Sequence, residues 1–460
     1  MNIQPIYTFA IFCFLLIVMS LTVKYAPFIF LLWSLVLLVF PTFRTDLFGI
    51  PIYWYDVVTV ILIFHFVLLY KSKIKYLVPS SIWRWFLGFF LVYLIFGFFV
   101  PSFKFSIITL TLWIFLHSFL AIFGLLFGSA ISYSLNSEYK RYLTTGIFIS
   151  SLVLCCLALL QFFSIHYAEL IDNFFYGSFA KSKTQFFHKA FIRTKRVYGP
   201  HQAPTTFAGV SLINGFLLLW LIKEKNWKKI VGITASIISI LLTFSRHGII
   251  ALFAGVLVIF LFDKLKTTKQ LIAIIGSIFL IVILSHNKII LNVWRSRFER
   301  GGITTDPNIY SRLVRGPKNF LERIEEEPYI LLLGTGLDVQ KLMHKAKLSR
   351  KVMFGFVSNG FLLALFHLSI WGFLLYVGFW IKTFIKSLLL PKFLSKTAIP
   401  FIFVLIIIIA SDNYSFLYEP VVSFLFLSAG LILGEYYRIE YLNRIRNEAT
   451  SYKRALLQRL

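Results

Sequence analysis

The sequence is poor in charge. Only 14% of its 460 residues are Asp, Glu, Lys or Arg, against 58% hydrophobic. A soluble domain carries about a quarter charged residues. Too little charge is present to cover a water-facing surface of this size. Soluble enzyme, disordered chain and fibrous protein are therefore excluded as descriptions of the whole molecule. Acid is scarcer still, with 19 Asp plus Glu against 46 Lys plus Arg. Cysteine is almost missing, and Cys13, Cys155 and Cys156 all lie in apolar runs. That leaves no CxxC pair and no disulfide framework. No HExxH, no DxD and no Asp/His cluster with ligand spacing occurs, so neither a catalytic metal nor another cofactor is expected. Internal repeats are lacking too, which weakens an inverted-repeat transporter. The first apolar run, from about Tyr7 to Val23, has no basic flank and no small-residue cleavage site, so no cleavable signal peptide is expected.

What is present is long, continuous apolar sequence, with a mean hydropathy of +0.81. A membrane helix needs about 20 apolar residues. Candidate spans are 5–23, 27–41, 54–70, 83–100, 106–134, 143–165, 204–222, 229–245, 247–262, 270–286, 368–388, 398–411 and 417–437. The runs do not alternate, which favours helices over a β-barrel. The expected fold is an all-α polytopic membrane protein of about 12–13 transmembrane helices, with a large loop between the tenth and eleventh.

The formal charge of +27 would suggest nucleic acid in a soluble protein. In a membrane protein it reads as the positive-inside bias plus contact with anionic membrane lipid, so no nucleic-acid partner is expected. Lys-rich short loops lie at Lys71–Lys75, Lys223–Lys229, Asp263–Lys269 and Lys382–Lys396, and the tail from Arg438 to Arg459 is basic. These fit the cytoplasmic side. Two long loops, 166–203 and 287–355, fall on the other face. The second holds seven acids and 13 basic residues, enough polarity for a small domain. The expected organisation is N-terminal transmembrane helices over 1–165, and a transmembrane core with an Arg-bearing loop over 166–286. The large loop 287–355, C-terminal helices over 356–437 and a basic tail over 438–460 follow.

Long loops need not obey the charge rule, so their basic residues are informative. Three Arg-centred stretches face the non-cytoplasmic side. The first runs Arg193-Thr-Lys-Arg196-Val-Tyr-Gly199-Pro-His201 into Pro204 and a span. The second is Ser245-Arg246-His247-Gly248, between two apolar runs with almost no loop. An Arg at the bilayer boundary is a functional candidate by default. The third is Arg312, early in an amphipathic stretch ending at Glu327-Pro328, followed by the short turn Gly334-Thr-Gly336. Guanidinium groups bind phosphate oxygens bidentately and stay charged. A cluster of them at the outer face would suit a diphosphate on a lipid carrier. The plainer reading is Arg snorkelling to headgroup phosphates. His65, His117 and His367 lie in apolar runs and read as buried, hydrogen-bonded core histidines.

Taken in order, these stretches resemble the O-antigen ligase and polymerase superfamily. Arg196-Val-Tyr-Gly199, Pro204 and Phe207-Ala208 look like its Arg–Gly–Pro–Ala signature, and Phe244-Ser245-Arg246-His247-Gly248 resembles its Ser-Arg-Gly turn. Arg312, Glu327-Pro328, Leu333-Gly334-Thr-Gly336, Ser358-Asn359-Gly360 and Trp371-Gly372 keep the superfamily's order. The match covers roughly residues 190–380. The resemblance implies a metal-independent glycosyltransferase of the bacterial inner membrane, acting at the periplasmic face. The donor would be a glycan on undecaprenyl diphosphate. A polymerase passes it to another lipid-linked repeat, and a ligase passes it to lipid A-core. Arg196, Arg246 and Arg312 are the expected catalytic residues, with Arg193, His201, His247, His344 and Asn359 expected to bind substrate. One departure bears on the choice. Ligases usually carry His where this chain has Ser358, and a Ser hydroxyl is no base near neutral pH without an activating partner. That favours polymerase over ligase. His344, Asp412 or Glu419 could supply the base instead. A lipid-linked glycan flippase ranks third, because a transporter should place its charges on broken helices near mid-membrane.

Overall fold

The structure is a computed structural model. It describes residues 27–47, 50–70, 73–105, 108–135, 137–176, 197–201, 203–223, 226–263, 321–322, 324–325, 327–337, 360–411 and 419–457.

Its helices are α1 (Phe28–Val39), α2 (Trp54–Tyr70), α3 (Ser80–Val92), α4 (Ile108–Tyr133), α5 (Ser137–Phe163), α6 (Ile165–Tyr176) and α7 (Pro204–Leu221). They continue with α8 (Trp227–Leu242), α9 (Arg246–Asp263), α10 (Tyr329–Leu333), α11 (Gly360–Leu388), α12 (Lys392–Ser411) and α13 (Glu419–Leu457). Seven helical segments among the described residues are long and apolar enough to cross a membrane, and Phe28–Val39, Trp54–Tyr70 and Gly248–Phe260 are shorter apolar helices. The chain is thus a helical, multi-pass membrane protein. The expected spans 5–23 and 270–286 lie outside the described residues, as does most of the loop 287–355.

Three features differ from the expectation. An antiparallel hairpin pairs β1 (Arg44–Leu47) with β2 (Ile50–Tyr53), Arg44 opposite Tyr53. The stretch 166–203, expected as loop, contains α6. And the basic tail does not separate from the last span: α13 runs unbroken for 39 residues.

Small residues set the packing. A Cβ on Gly124 or Gly128 of α4 would collide with the backbone of α13 at Ser423 or Leu427, and one on Gly430 or Gly434 would collide with Leu125 or Ser129 of α4. The two helices therefore meet backbone to backbone. Lipid offers no hydrophobic drive for helix association, so such close approach supplies the packing instead. Trp33 fixes α1 into the same core. It stacks on Phe424 at 5.6 Å and donates from Nε1 to Thr59 Oγ1 at 2.9 Å. Helix α7 and the first part of α13 are the most deeply buried of the seven segments.

Beyond α3 the backbone widens into a π-helix, Tyr93–Phe99, in which the Val100 N–H reaches back to the Ile95 carbonyl. Pro101 follows. Its ring has no N–H to give the Gly97 carbonyl, which breaks the α-helical ladder there. The segment then continues as the short helix Val100–Phe105.

Candidate functional site

The second half of the Arg193–His201 stretch forms a buried strap. Val197 donates its N–H to the Leu242 carbonyl at 3.3 Å. Gln161 Oε1 accepts from the N–H groups of both Tyr198 (3.1 Å) and Gly199 (2.9 Å). Gly199 is required by two facts: its φ is +53°, and a Cβ there would sit 3.0 Å from the Phe207 ring. Pro204 then occupies the first turn of α7, where its missing N–H costs nothing.

The link between α8 and α9 is equally tight. Thr243 Oγ1 donates to the Ile240 carbonyl at 2.6 Å and accepts from the Ser245 N–H at 3.1 Å. Phe244 takes a φ of 47°, a left-handed conformation unusual for a side chain of its size. Ser245 Oγ faces the Gly248 N–H at 3.5 Å, and α9 begins at Arg246. A Cβ on Gly248 would come within 2.6 Å of Ala208 Cβ. The first turns of α7 and α9 therefore lie side by side, with the Val197 strap bonded to the residue that ends α8. Two helix N-termini, each the positive end of a helix dipole, therefore lie next to each other.

The expected site residues distribute as follows. Arg246 and His247 open α9, and only their backbone is described. Arg193, Arg196, Arg312, His344, Ser358 and Asn359 lie outside the described residues. Arg196 is joined directly to Val197, so the chain brings it to within one residue of the clamp on α8. Glu419 begins α13 at its backbone, and Asp412 lies outside the described residues.

His201 is placed differently from the expectation. It is wholly buried, stacked on Phe207 with centroids 5.7 Å apart. Burial pushes its imidazole down from 6.5 to about 3, against a backbone hydrogen bond with Leu38 that pulls the other way. It is a neutral group behind the strap and cannot serve as a cation facing a ligand.

The turn Gly334-Thr-Gly336 is more than a surface turn. It is buried against a break in α11. Ser369 has φ 66° and ψ −178°, which splits α11 nine residues in. The N–H of Thr335 bonds the Phe366 carbonyl at 2.9 Å, and that of Gly336 bonds the His367 carbonyl at 3.1 Å. His367 Nδ1 donates back to the Gly336 carbonyl at 2.7 Å. These bonds supply partners for backbone groups that a broken helix leaves open. Leu337 fits against Gly97 in the π-helix, and Gly336 lies against Pro101.

Sequence reasoning missed one polar constellation. His117 Nδ1 lies 3.1 Å from Asp56 Oδ2, and its Nε2 lies 3.1 Å from the Tyr55 hydroxyl. Trp113 stacks on the same ring at 5.5 Å. His117 was expected to be hydrogen-bonded, but no spacing in the sequence links position 56 to 117. Among the described residues no group of three or more His, Cys, Asp or Glu could hold a metal ion.

Compared with protein-family models, with curated proteins and with solved structures, the chain matches none of them.

Proposed function

We propose that the chain is a membrane glycosyltransferase. It polymerises undecaprenyl-diphosphate-linked oligosaccharide repeat units, as in O-antigen, capsule or exopolysaccharide, at the periplasmic face of the bacterial inner membrane. The observation that carries this reading is the convergence of the α7 and α9 N-termini, locked by the Val197–Leu242 and Gln161–Gly199 hydrogen bonds, beside residues that bear Arg196 and Arg246. Such a place is suited to an anionic leaving group. In the reaction an acceptor hydroxyl attacks the anomeric carbon, the bond from that carbon to the diphosphate oxygen breaks, and the lipid diphosphate departs. The acceptor loses its proton to a base. Fixed N–H dipoles and guanidinium groups stabilise the charge that develops on the leaving oxygen. The rigid strap matters because such stabilisation depends on groups already in place before the reaction.

The test is transfer by purified protein in proteoliposomes with a lipid-linked repeat unit as the only sugar substrate. Polymers of increasing length support the reading. Ligation to lipid A-core without polymer would favour the ligase. Sidedness is tested by cysteine at Lys341, which should react with a membrane-impermeant reagent in outer-permeabilised cells. Labelling only after inner-membrane lysis would invert the topology.

Below the ligase ranks a transporter of lipid-linked glycan, which the break in α11 at Ser369 favours. Translocation of an intact lipid-linked unit, with no polymer formed, would support it.

A further inference from the structure

Helix α13 outlasts the bundle. Residues 421–435 are buried, and every residue from 441 to 451 is exposed. Seven of the 17 residues from Arg438 to Arg454 are charged, so this part of the helix stands in water rather than in hydrocarbon. At about 1.5 Å per residue the described extension reaches roughly 30 Å. A helix alone in water has no reason to carry an apolar seam, yet this one does. Leu442 and Ile445 are 53% and 45% exposed, and Ala449 follows on the same face. Tyr452 and Leu456 continue the register in the sequence. The steps alternate between three and four residues, which is the heptad pattern, with Leu442, Ala449 and Leu456 at a and Ile445 and Tyr452 at d.

We propose that the projecting part of α13 is a parallel coiled coil joining this chain to further copies of itself. The charges in the same register favour this occupant. Glu448 falls at g, and Lys453 falls at the following e. In a parallel pair, g of one helix faces the next e of its partner, so the two would join opposite charges across the seam. The membrane supplies the orientation. Copies inserted the same way present their tails side by side and pointing the same way, which raises the effective concentration of one tail near another. Leu at a with Ile at d admits more than two strands. A seam of just over two heptads is weak in free solution, so this association depends on confinement to the membrane. A lipid surface fits the seam less well. The helix has no break between crossing and extension, so it leads away from the bilayer, and Arg444, Arg446 and Glu448 surround the seam. The inference does not rest on the proposed enzymatic activity.

The test is disulfide cross-linking of the full-length chain in membranes, with Cys13, Cys155 and Cys156 replaced by Ser. Single cysteines are placed at Leu442, Ile445 or Asn447, the last on the far side of the helix. Oxidation should give covalent dimers at Leu442→Cys and Ile445→Cys, at least about fivefold more than at Asn447→Cys, because only a and d positions meet across a seam. Adding Ile445→Asp to Leu442→Cys should reduce the dimer to the Asn447→Cys level. Equal cross-linking at all three sites would mean random collision and overturn the proposal. So would absence of cross-linking at Leu442→Cys together with its protection from a water-soluble maleimide that labels Asn447→Cys, since the seam would then lie on lipid.

Discussion

The two ends of the bundle handle charge in opposite ways. At the Lys-rich end, basic side chains have partners within the protein. Glu435, buried in α13, receives Lys223 at 3.3 Å and Arg438 at 2.7 Å. Lys386 donates to the Tyr436 hydroxyl at 3.0 Å, and Lys382 reaches Ser81 at 3.0 Å and lies over the Trp85 ring. These contacts anchor helices to each other. At the Arg end, the described side chains around the start of α9 are neutral. Gln161, Thr243 and Ser245 spend their oxygens on backbone N–H groups. Basic side chains held by protein acids do structural work. On the proposed function, Arg196 and Arg246, carried next to this neutral scaffolding, would be the groups that meet the anion.

This contrast predicts unequal effects. The largest belongs to the Arg end. Arg246→Ala and Arg196→Ala should each cost roughly 10–100-fold in transfer, since a charge-assisted contact is worth about 1.5–3 kcal/mol. Protein levels should stay near normal, and Lys substitution should rescue only in part, because an ammonium lacks the planar fork. The check is chain-length analysis of surface glycan alongside immunoblotting. The partners of Glu435 should behave the other way. Lys223→Ala should leave glycan length unchanged while lowering thermal stability by about 1 kcal/mol or less, the exposed lysine being well solvated.

Packing changes come next. Gly128→Val should cost about 1–3 kcal/mol or more and reduce folded protein, since the new side chain meets the α13 backbone with no flexible neighbour to yield. Thermal unfolding in detergent measures it. Gly334→Ala should cost about 1–3 kcal/mol, because Gly334 combines φ +67° with direct contact to the His367 carbonyl.

The last effect is a pH dependence. His201 binds a proton below about 6.5 in the unfolded chain, but only near 3 when folded. Between these values the unfolded state holds more protons. The contribution of His201 to stability is therefore complete above 6.5 and is lost as pH falls toward 3. His201→Gln should flatten the decline in unfolding temperature between about pH 6.5 and pH 4. A slope equal to that of the natural chain would show that other groups set the acid sensitivity.

The membrane class and the helix positions were legible because long apolar runs leave the backbone no other satisfied form in lipid. Every expected span among the described residues coincides with a helix, although α11 starts earlier, at Gly360, than the expected 368. The tight entries at Gly199-Pro-His201 and Ser245-Arg246 were also legible, since Gly, Pro and an interrupted apolar run mark turns locally. Long-range geometry was not. Nothing in the sequence pairs Gln161 with Tyr198 and Gly199, or Gly334-Thr-Gly336 with the carbonyls of Phe366 and His367. The break at Ser369 lies within an apolar run, with neither Gly nor Pro at the bend, so tertiary hydrogen bonds rather than local propensity hold it. His201 reads as a polar neighbour of two Arg residues, and only the fold reveals that its ring turns inward onto Phe207. The heptad seam of α13 lay in plain sequence, but the charged tail reads as a loop until the helix is seen to continue through it.

The central claim is that the Arg end holds the diphosphate of a lipid-linked donor. Its most direct test compares Arg246→Ala, Arg246→Lys and the natural chain at matched protein levels, by the length distribution of surface glycan. The account predicts loss of long chains with Ala and partial recovery with Lys. Unchanged glycan in properly inserted Arg246→Ala protein would contradict it.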